Sequence, residues 1–138
     1  MIEIYQECCT LLQAGQPVVL ATVFEAKGSA PRVAGARMLV RKDGSIRGTI
    51  GGGRLEHDAV QLAMMLFEKT ESAIYSFDLT GNDVAGMDMI CGGKGEVWLH
   101  YFTGSAQELA VFQAIQSVLA SRQKAWLVTE ISGPVDGN

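Results

Sequence analysis

Three consecutive glycines, Gly51-Gly52-Gly53, constrain this chain more than any other feature. They sit in the stretch Arg-Gly-Thr-Ile-Gly-Gly-Gly-Arg-Leu-Glu, from Arg47 to Glu56. Glycine loses more backbone freedom on folding than any other residue, so a triplet is costly to order. That cost is met where the backbone turns sharply through positive φ, or where a ligand approaches bare N–H groups. The residues before the triplet read as a β-strand and those after it have helical periodicity. A strand, a glycine loop and a helix start together make an anion cradle, with open amides and a favourable dipole. The sequence therefore predicts a site for a phosphate or similar anion over residues 48–56. A tight strand-to-helix turn without a ligand is the other reading of the same pattern.

The charges around this loop are uneven. The chain of 138 residues carries a net charge of −4, which argues against general nucleic-acid binding. Between Lys27 and Arg54, however, stand seven basic residues (Lys27, Arg32, Arg37, Arg41, Lys42, Arg47, Arg54) and one acidic residue, Asp43. That segment is +6 and the rest of the chain −10. A basic run ending at the glycine loop suggests attraction of a small anion. A strand with a solvated basic face is the plain alternative.

Hydrophobic content of 48% with 19% charged residues is that of a globular domain, and the length suits one domain with a sizeable core. No apolar run approaches the ~20 residues needed to cross a bilayer. No signal-peptide pattern opens the chain, so a cytoplasmic protein is expected. The three cysteines are Cys8, Cys9 and Cys91. Two of them are adjacent and one is left over, which is not a disulfide framework, and no zinc-type spacing is present.

Taken in order, residues 2–14 read as a helix with Tyr5, Cys8, Cys9 and Leu12 on one apolar stripe, closed by Gly15. Both cysteines on that stripe are expected in the core. Val18 to Phe24 is an almost unbroken apolar run, the pattern of a strand covered on both faces. Residues 27–36 form a loop carrying Arg32, which suits bidentate contact with a phosphate as well as it suits plain solvation. Residues 38–41 and 45–50 form a hairpin about the Asp43-Gly44 turn signal. A helix follows over 54–69, with Leu55, Ala59, Leu62, Ala63 and Leu66 on its apolar face. Glu56 lies in its first turn, where it either complements the dipole or meets the donor edge of a guanidine-like heterocycle.

Residues 73–77 alternate as a strand. An irregular run then leads to Met87-Asp88-Met89-Ile90-Cys91-Gly92-Gly93. A cysteine before two glycines in a loop is a candidate reactive thiol or a soft ligand for a molybdenum–sulfur centre, and a buried structural cysteine otherwise. Residues 95–102 form a strand on which His100 is a face or edge residue. Ser105 to Glu108 is a capping box opening a helix whose stripe is Val111, Ile115, Val118 and Leu119. Residues 124–131 read as a last strand. A weak repeat at an offset of 107 residues matches Leu12, Gln16, Leu20 and Thr22 with Leu119, Gln123, Leu127 and Thr129. The order α-β-β-β-α-β-β-α-β predicts an α/β domain, or α+β, with a mixed β-sheet and about three helices packed on it. Residues 1–131 make that domain and 132–138 a tail or the start of a linker.

Several stretches together resemble the XdhC/CoxI family (xanthine dehydrogenase accessory factor), N-terminal domain. They are Leu20-Ala-Thr-Val, Gly28-Ser-Ala-Pro-Arg32, Gly35-Ala-Arg-Met-Leu-Val40, Gly48-Thr-Ile-Gly-Gly-Gly-Arg-Leu-Glu56 and Cys91-Gly-Gly-Lys-Gly-Glu-Val97. The resemblance implies a non-catalytic accessory protein that binds molybdenum cofactor, molybdopterin or its dinucleotide form, as cargo. It implies partners: a cysteine desulfurase that sulfurates the cofactor, and a molybdenum hydroxylase subunit that receives it. A homo-oligomer is expected, with neither nucleic acid nor membrane as partner. On this reading the cofactor-binding residues are Arg32, Gly51, Gly52, Gly53, Arg54, Glu56, Asp88, Cys91, Gly92 and Gly93, with Cys91 facing the metal or its sulfur. Two departures stand out. Many relatives continue into a Rossmann-type domain after this one, which is not expected within these 138 residues; a natural single-domain form, a fragment and a subunit working beside a separate Rossmann-type partner are the three alternatives. Some carry a cysteine directly after the triple glycine, where this chain has Arg54, so no role for a thiol transfers to that position.

Three rival readings accompany it. A nucleotide-binding enzyme domain lacks the G-K-[ST] ending of a P-loop and the G-x-G-x-x-G spacing of a dinucleotide site. A cysteine enzyme using Cys91 lacks a recognisable histidine partner. A cofactor-free interaction module needs neither.

Overall fold

A computed structural model describes residues 2–27, 35–78 and 94–121. Eight elements follow in order: α1 (Ile2–Gln13), β1 (Val18–Lys27), β2 (Arg37–Arg41), β3 (Ile46–Gly48), α2 (Gly53–Lys69), β4 (Ala73–Asp78), β5 (Lys94–Phe102) and α3 (Ala106–Ser121). The strands form one sheet in the order β3-β2-β1-β5-β4. Helices packed on a single sheet are as expected. Each described pairing is antiparallel, so the expected mixed sheet resolves to an antiparallel one. The reason is connectivity. The short turn between Arg41 and Ser45 joins β2 and β3 as antiparallel neighbours, and the α2 crossover carries the chain from the β3 edge to the far edge, where β4 pairs with β5 rather than with β3. The strand read over 124–131 and the tail over 132–138 lie outside the described residues.

The long apolar run is the central strand. Val19, Ala21 and Val23 of β1 face α2, with Met38, Val40, Val97, Leu99, Leu55, Ala59, Ala63, Leu66 and Phe67. Val18 and Leu20 point the other way, with Leu39, onto Ile4, Tyr5, Cys8, Cys9 and Leu12 of α1 and Phe112 of α3. The period-two alternation of β-strands thus feeds two cores, one on each face. Cys8 and Cys9 are buried as expected. Burial pushes the Cys8 thiol up to about 12.

Two details differ from the periodicity. In α3 the buried residue is Phe112, whereas Val111 and Leu119, expected inside, are 47% and 36% exposed. The Phe112 ring meets Phe102 edge-on, with centroids 4.9 Å apart, and Tyr5 at 6.1 Å, and these aromatic contacts set the rotation of the helix. At the Asp43-Gly44 turn the closing pair is Arg41 with Ser45: the N–H of Arg41 donates to the carbonyl of Ser45 at 2.9 Å. The loop therefore holds three residues, ending on Gly44 at φ +88°, rather than two.

Candidate functional site

The glycine loop begins where β3 stops. Gly48 closes the β2–β3 ladder opposite Met38. Ile50 is fully buried in the α2-side core, which anchors the loop from below. Gly51, Gly52 and Gly53 then take φ values of +140°, +78° and +59°. These three residues turn the chain onto the sheet face and start α2, with Gly52 as N-cap. The glycines are required by backbone direction, as the sequence suggested.

What fills the loop was not foreseen. Oε2 of Glu56 accepts the hydroxyl hydrogen of Thr49 and the backbone N–H groups of Ile50, at 3.1 Å, and Gly52, at 2.6 Å. Thr49 Oγ1 in turn accepts the N–H of Gly51 at 3.1 Å. The amides of residues 50–52 are therefore engaged by the protein's own carboxylate and hydroxyl. Glu56 is half-buried. An α-helix leaves its first amides without intrahelical partners, here those beyond Gly52 in the first turn of α2, and Gly53 is exposed. Arg54 places a largely exposed guanidinium beside this turn, with Nε 3.7 Å from Oδ2 of Asp58. Asp58 Oδ2 also accepts from the Tyr75 hydroxyl at 3.4 Å, tying α2 to β4.

Among the described side chains, three arginines of the basic segment are engaged within the fold. Arg41 holds Glu7 of α1 with two nitrogens, Nη2 at 2.9 Å from Oε1 and Nε on Oε2. Arg47 Nη1 reaches the same Oε1 at 3.0 Å. The hydrogen bond from Arg41 holds the Glu7 carboxyl below its ordinary range, with Arg47 adding to it. Arg37 donates to the carbonyl of Gly35 at 3.1 Å and lies over the Tyr5 ring, 5.8 Å from its centroid. These three arginines fasten α1 and the loop before β2 to the sheet. Glu7 could not be singled out from the sequence, since nothing there marks the acidic residue of α1 that faces the hairpin.

Of the residues expected to bind a cofactor, the structure brings together Gly51, Gly52, Gly53, Arg54 and Glu56. Arg32, Asp88, Cys91, Gly92 and Gly93 lie outside the described residues. The strand ends that flank them are described. Lys27, Lys94 and Asp78 are level with one another across β1, β5 and β4. The segments 28–34 and 79–93 thus leave the sheet at its same end, the end at which β3 delivers the glycine loop. Gly48 is level with Ala21, through Met38. Ala21 is six residues before Lys27, roughly 20 Å along the strand at about 3.3 Å per residue. Among the described residues no group of three or more His, Cys, Asp or Glu side chains could hold a metal ion, and no helix is long and apolar enough to cross a membrane. His100 is stacked between Trp98 and Phe102, with ring centroids at 4.3 Å and 3.8 Å, and burial lowers its pKa.

Comparison with known proteins adds three kinds of likeness. The family model described as the XdhC and CoxI family matches residues 11–78. The chain is 32% identical over 107 residues to the molybdenum cofactor insertion chaperone PaoD of Escherichia coli, covering 76% of this chain and 33% of PaoD. It is 29% identical over 121 residues to a probable xanthine dehydrogenase subunit of Bacillus subtilis, covering 88% of this chain and 37% of the other. A crystal structure of a xanthine dehydrogenase from Bacillus halodurans superimposes with a TM-score of 0.68 at 27% identity, over 87% of this chain and 35% of that one. The chain thus spans about a third of each of these longer proteins.

Proposed function

Because the chain belongs to the XdhC and CoxI family, we propose that it is an accessory protein that holds molybdenum cofactor and delivers it to a xanthine dehydrogenase-type molybdenum hydroxylase, without itself catalysing a reaction. The single observation that carries this reading is the 32% identity to a molybdenum cofactor insertion chaperone over 76% of the chain. Sulfuration of the held cofactor by a cysteine desulfurase, and self-association, belong to the same proposal.

The residues offer the cofactor a divided site. Its phosphate would meet the exposed start of α2, with Gly53 and the Arg54 guanidinium, and not the inner amides already taken by Glu56. Arg32, Asp88, Gly92 and Gly93 would contribute from the two segments that leave the same end of the sheet. Cys91 would supply a thiolate, a soft donor suited to a molybdenum–sulfur centre. The bound group would bring the metal and its dithiolene; the chain would bind it, orient it and exclude water.

The test is molybdenum and pterin analysis of the chain purified from a cofactor-producing cell. Both are expected on the protein, and Cys91→Ala should lower the molybdenum content. Copurification with a hydroxylase subunit but without pterin would replace this reading with an interaction module. Heat of binding with ATP or NAD but none with the cofactor would replace it with a nucleotide-binding domain.

A further inference from the structure

The inner amides of the glycine loop already have an acceptor inside the fold. We infer that Glu56 is a positioning residue: its own carboxylate is the anion that organises the glycine loop, so no ligand phosphate takes the amides of Ile50 and Gly52. The inference rests on the reading of this loop as part of the cofactor site and narrows what that part of the site does.

Two observations carry it. The first is occupancy. One carboxylate oxygen satisfies three donors, Thr49, Ile50 and Gly52, and Thr49 passes the connection on to Gly51. A phosphate brought to the same donors would have to displace a carboxylate on a short, helix-borne side chain, or share the space with a like charge.

The second observation is recurrence. Helix α3 starts with the same device. Oε1 of Glu108 accepts the N–H of Thr103 at 3.0 Å, of Gly104 at 2.8 Å and of Ser105 at 3.1 Å, with the Thr103 hydroxyl at 3.3 Å. In both places a glutamate accepts from the amide of the glycine four residues earlier, with a threonine hydroxyl on the same oxygen. The start of α3 has no glycine triplet and no ligand-binding pattern. The shared feature is therefore a lock on a helix entry: a fixed negative charge at the positive end of the dipole, holding the incoming turn. At α2 that lock has a further consequence. It holds three residues of positive φ, Gly51 to Gly53, in one arrangement, and so sets where the exposed face of the loop stands.

The test uses the full chain, isotope-labelled, without cofactor. Amide exchange is compared in the parent chain, Glu56→Ala and Glu56→Gln. Loss of the charged acceptor should speed exchange at Ile50 and Gly52 about tenfold or more, and leave Gly104 unchanged. Glu56→Gln keeps an oxygen acceptor without the charge and should recover only part of the protection. Inorganic phosphate, titrated into the parent chain, should shift neither the Ile50 nor the Gly52 amide resonance saturably. Unchanged exchange in Glu56→Ala overturns the inference, and so does a saturable phosphate shift at Ile50 and Gly52. The titration decides the matter even if the alanine variant does not fold. None of these measurements uses molybdenum cofactor, so a purified protein lacking molybdenum would sink the chaperone reading, whereas amide exchange and the phosphate titration alone decide the part played by Glu56.

Discussion

Gly48→Ala places a side chain where the backbone beside the glycine loop has no room for one. Gly48 has φ +86°, and a Cβ built on it would lie 2.7 Å from the carbonyl oxygen of Arg37 and 2.7 Å from Cδ1 of Ile4. Ile4 can swing its terminal methyl aside. The Arg37 carbonyl cannot move freely, because Arg37 lies on β2 and is paired with Thr22 of the central strand. Forcing an L side chain to positive φ costs about 1–2 kcal/mol, and crowding a packed site adds about 1–3 kcal/mol. The expected loss is therefore roughly 2–5 kcal/mol. Gly15→Ala is the matched control: φ is +80°, yet nothing lies within 4 Å of the added Cβ. It should lose only the backbone part, about 1–2 kcal/mol. Urea unfolding of the full chain and both variants measures the two losses. Should Gly48→Ala prove no worse than Gly15→Ala, the close approach of β2 to this glycine is not what the structure says it is. In the folded fraction of Gly48→Ala, the amide resonances of Gly51 to Gly53 should also shift, since the end of β3 is displaced.

Two further outcomes follow from buried and paired groups. The Glu7 carboxyl is held below its ordinary value of 4.5 by Arg41, so it contributes stability that is present above about pH 4.5 and lost as pH falls through its lower folded value; Glu7→Gln should flatten that acid limb in urea unfolding followed against pH. The Cys8 thiol, buried and pushed up to about 12, should resist alkylation in the folded chain at mildly alkaline pH and react once the chain is unfolded in urea, as peptide mapping would read directly.

Much of the fold was legible because its signals are local. The almost unbroken apolar run at Val18 identified the strand covered on both faces, and the structure places it third of the five described strands, between two cores. Ser105 and Glu108 announced the start of α3, and the capping bonds form. The stripes of α1 and α2 were legible for the same reason, with Phe67 of α2 buried and Leu62 only half so. The rotation of α3 was not, because Val111 and Phe112 are both apolar and only the meeting of Phe112 with Tyr5 and Phe102 decides between them. Strand direction was hidden for a similar reason. The sequence shows that α2 crosses from β3 to β4, but not that β4 and β5 then attach to β1 rather than to the hairpin.

The glycine turn was legible in position, and the charge around it was misleading. A glycine triplet between a strand and a helix marks a sharp turn whatever it binds, and the turn is there. The +6 of the surrounding segment is a sum along the chain, whereas potential depends on what stands opposite in space. Arg41 and Arg47 share one carboxylate, Glu7, more than thirty residues away, and Arg54 has Asp58 one turn on. The anion that the amides call for is likewise supplied from within, by Glu56. A usable signal for this was present: Thr103, Gly104 and Glu108 repeat the combination of threonine, glycine and glutamate around a helix start that has no other mark of a ligand. Wherever a glycine loop enters a helix, a glutamate four residues after one of its glycines should be weighed first as the loop's own counter-charge. A ligand's anion is then to be sought among the donors that this carboxylate leaves untouched, here from Gly53 onward.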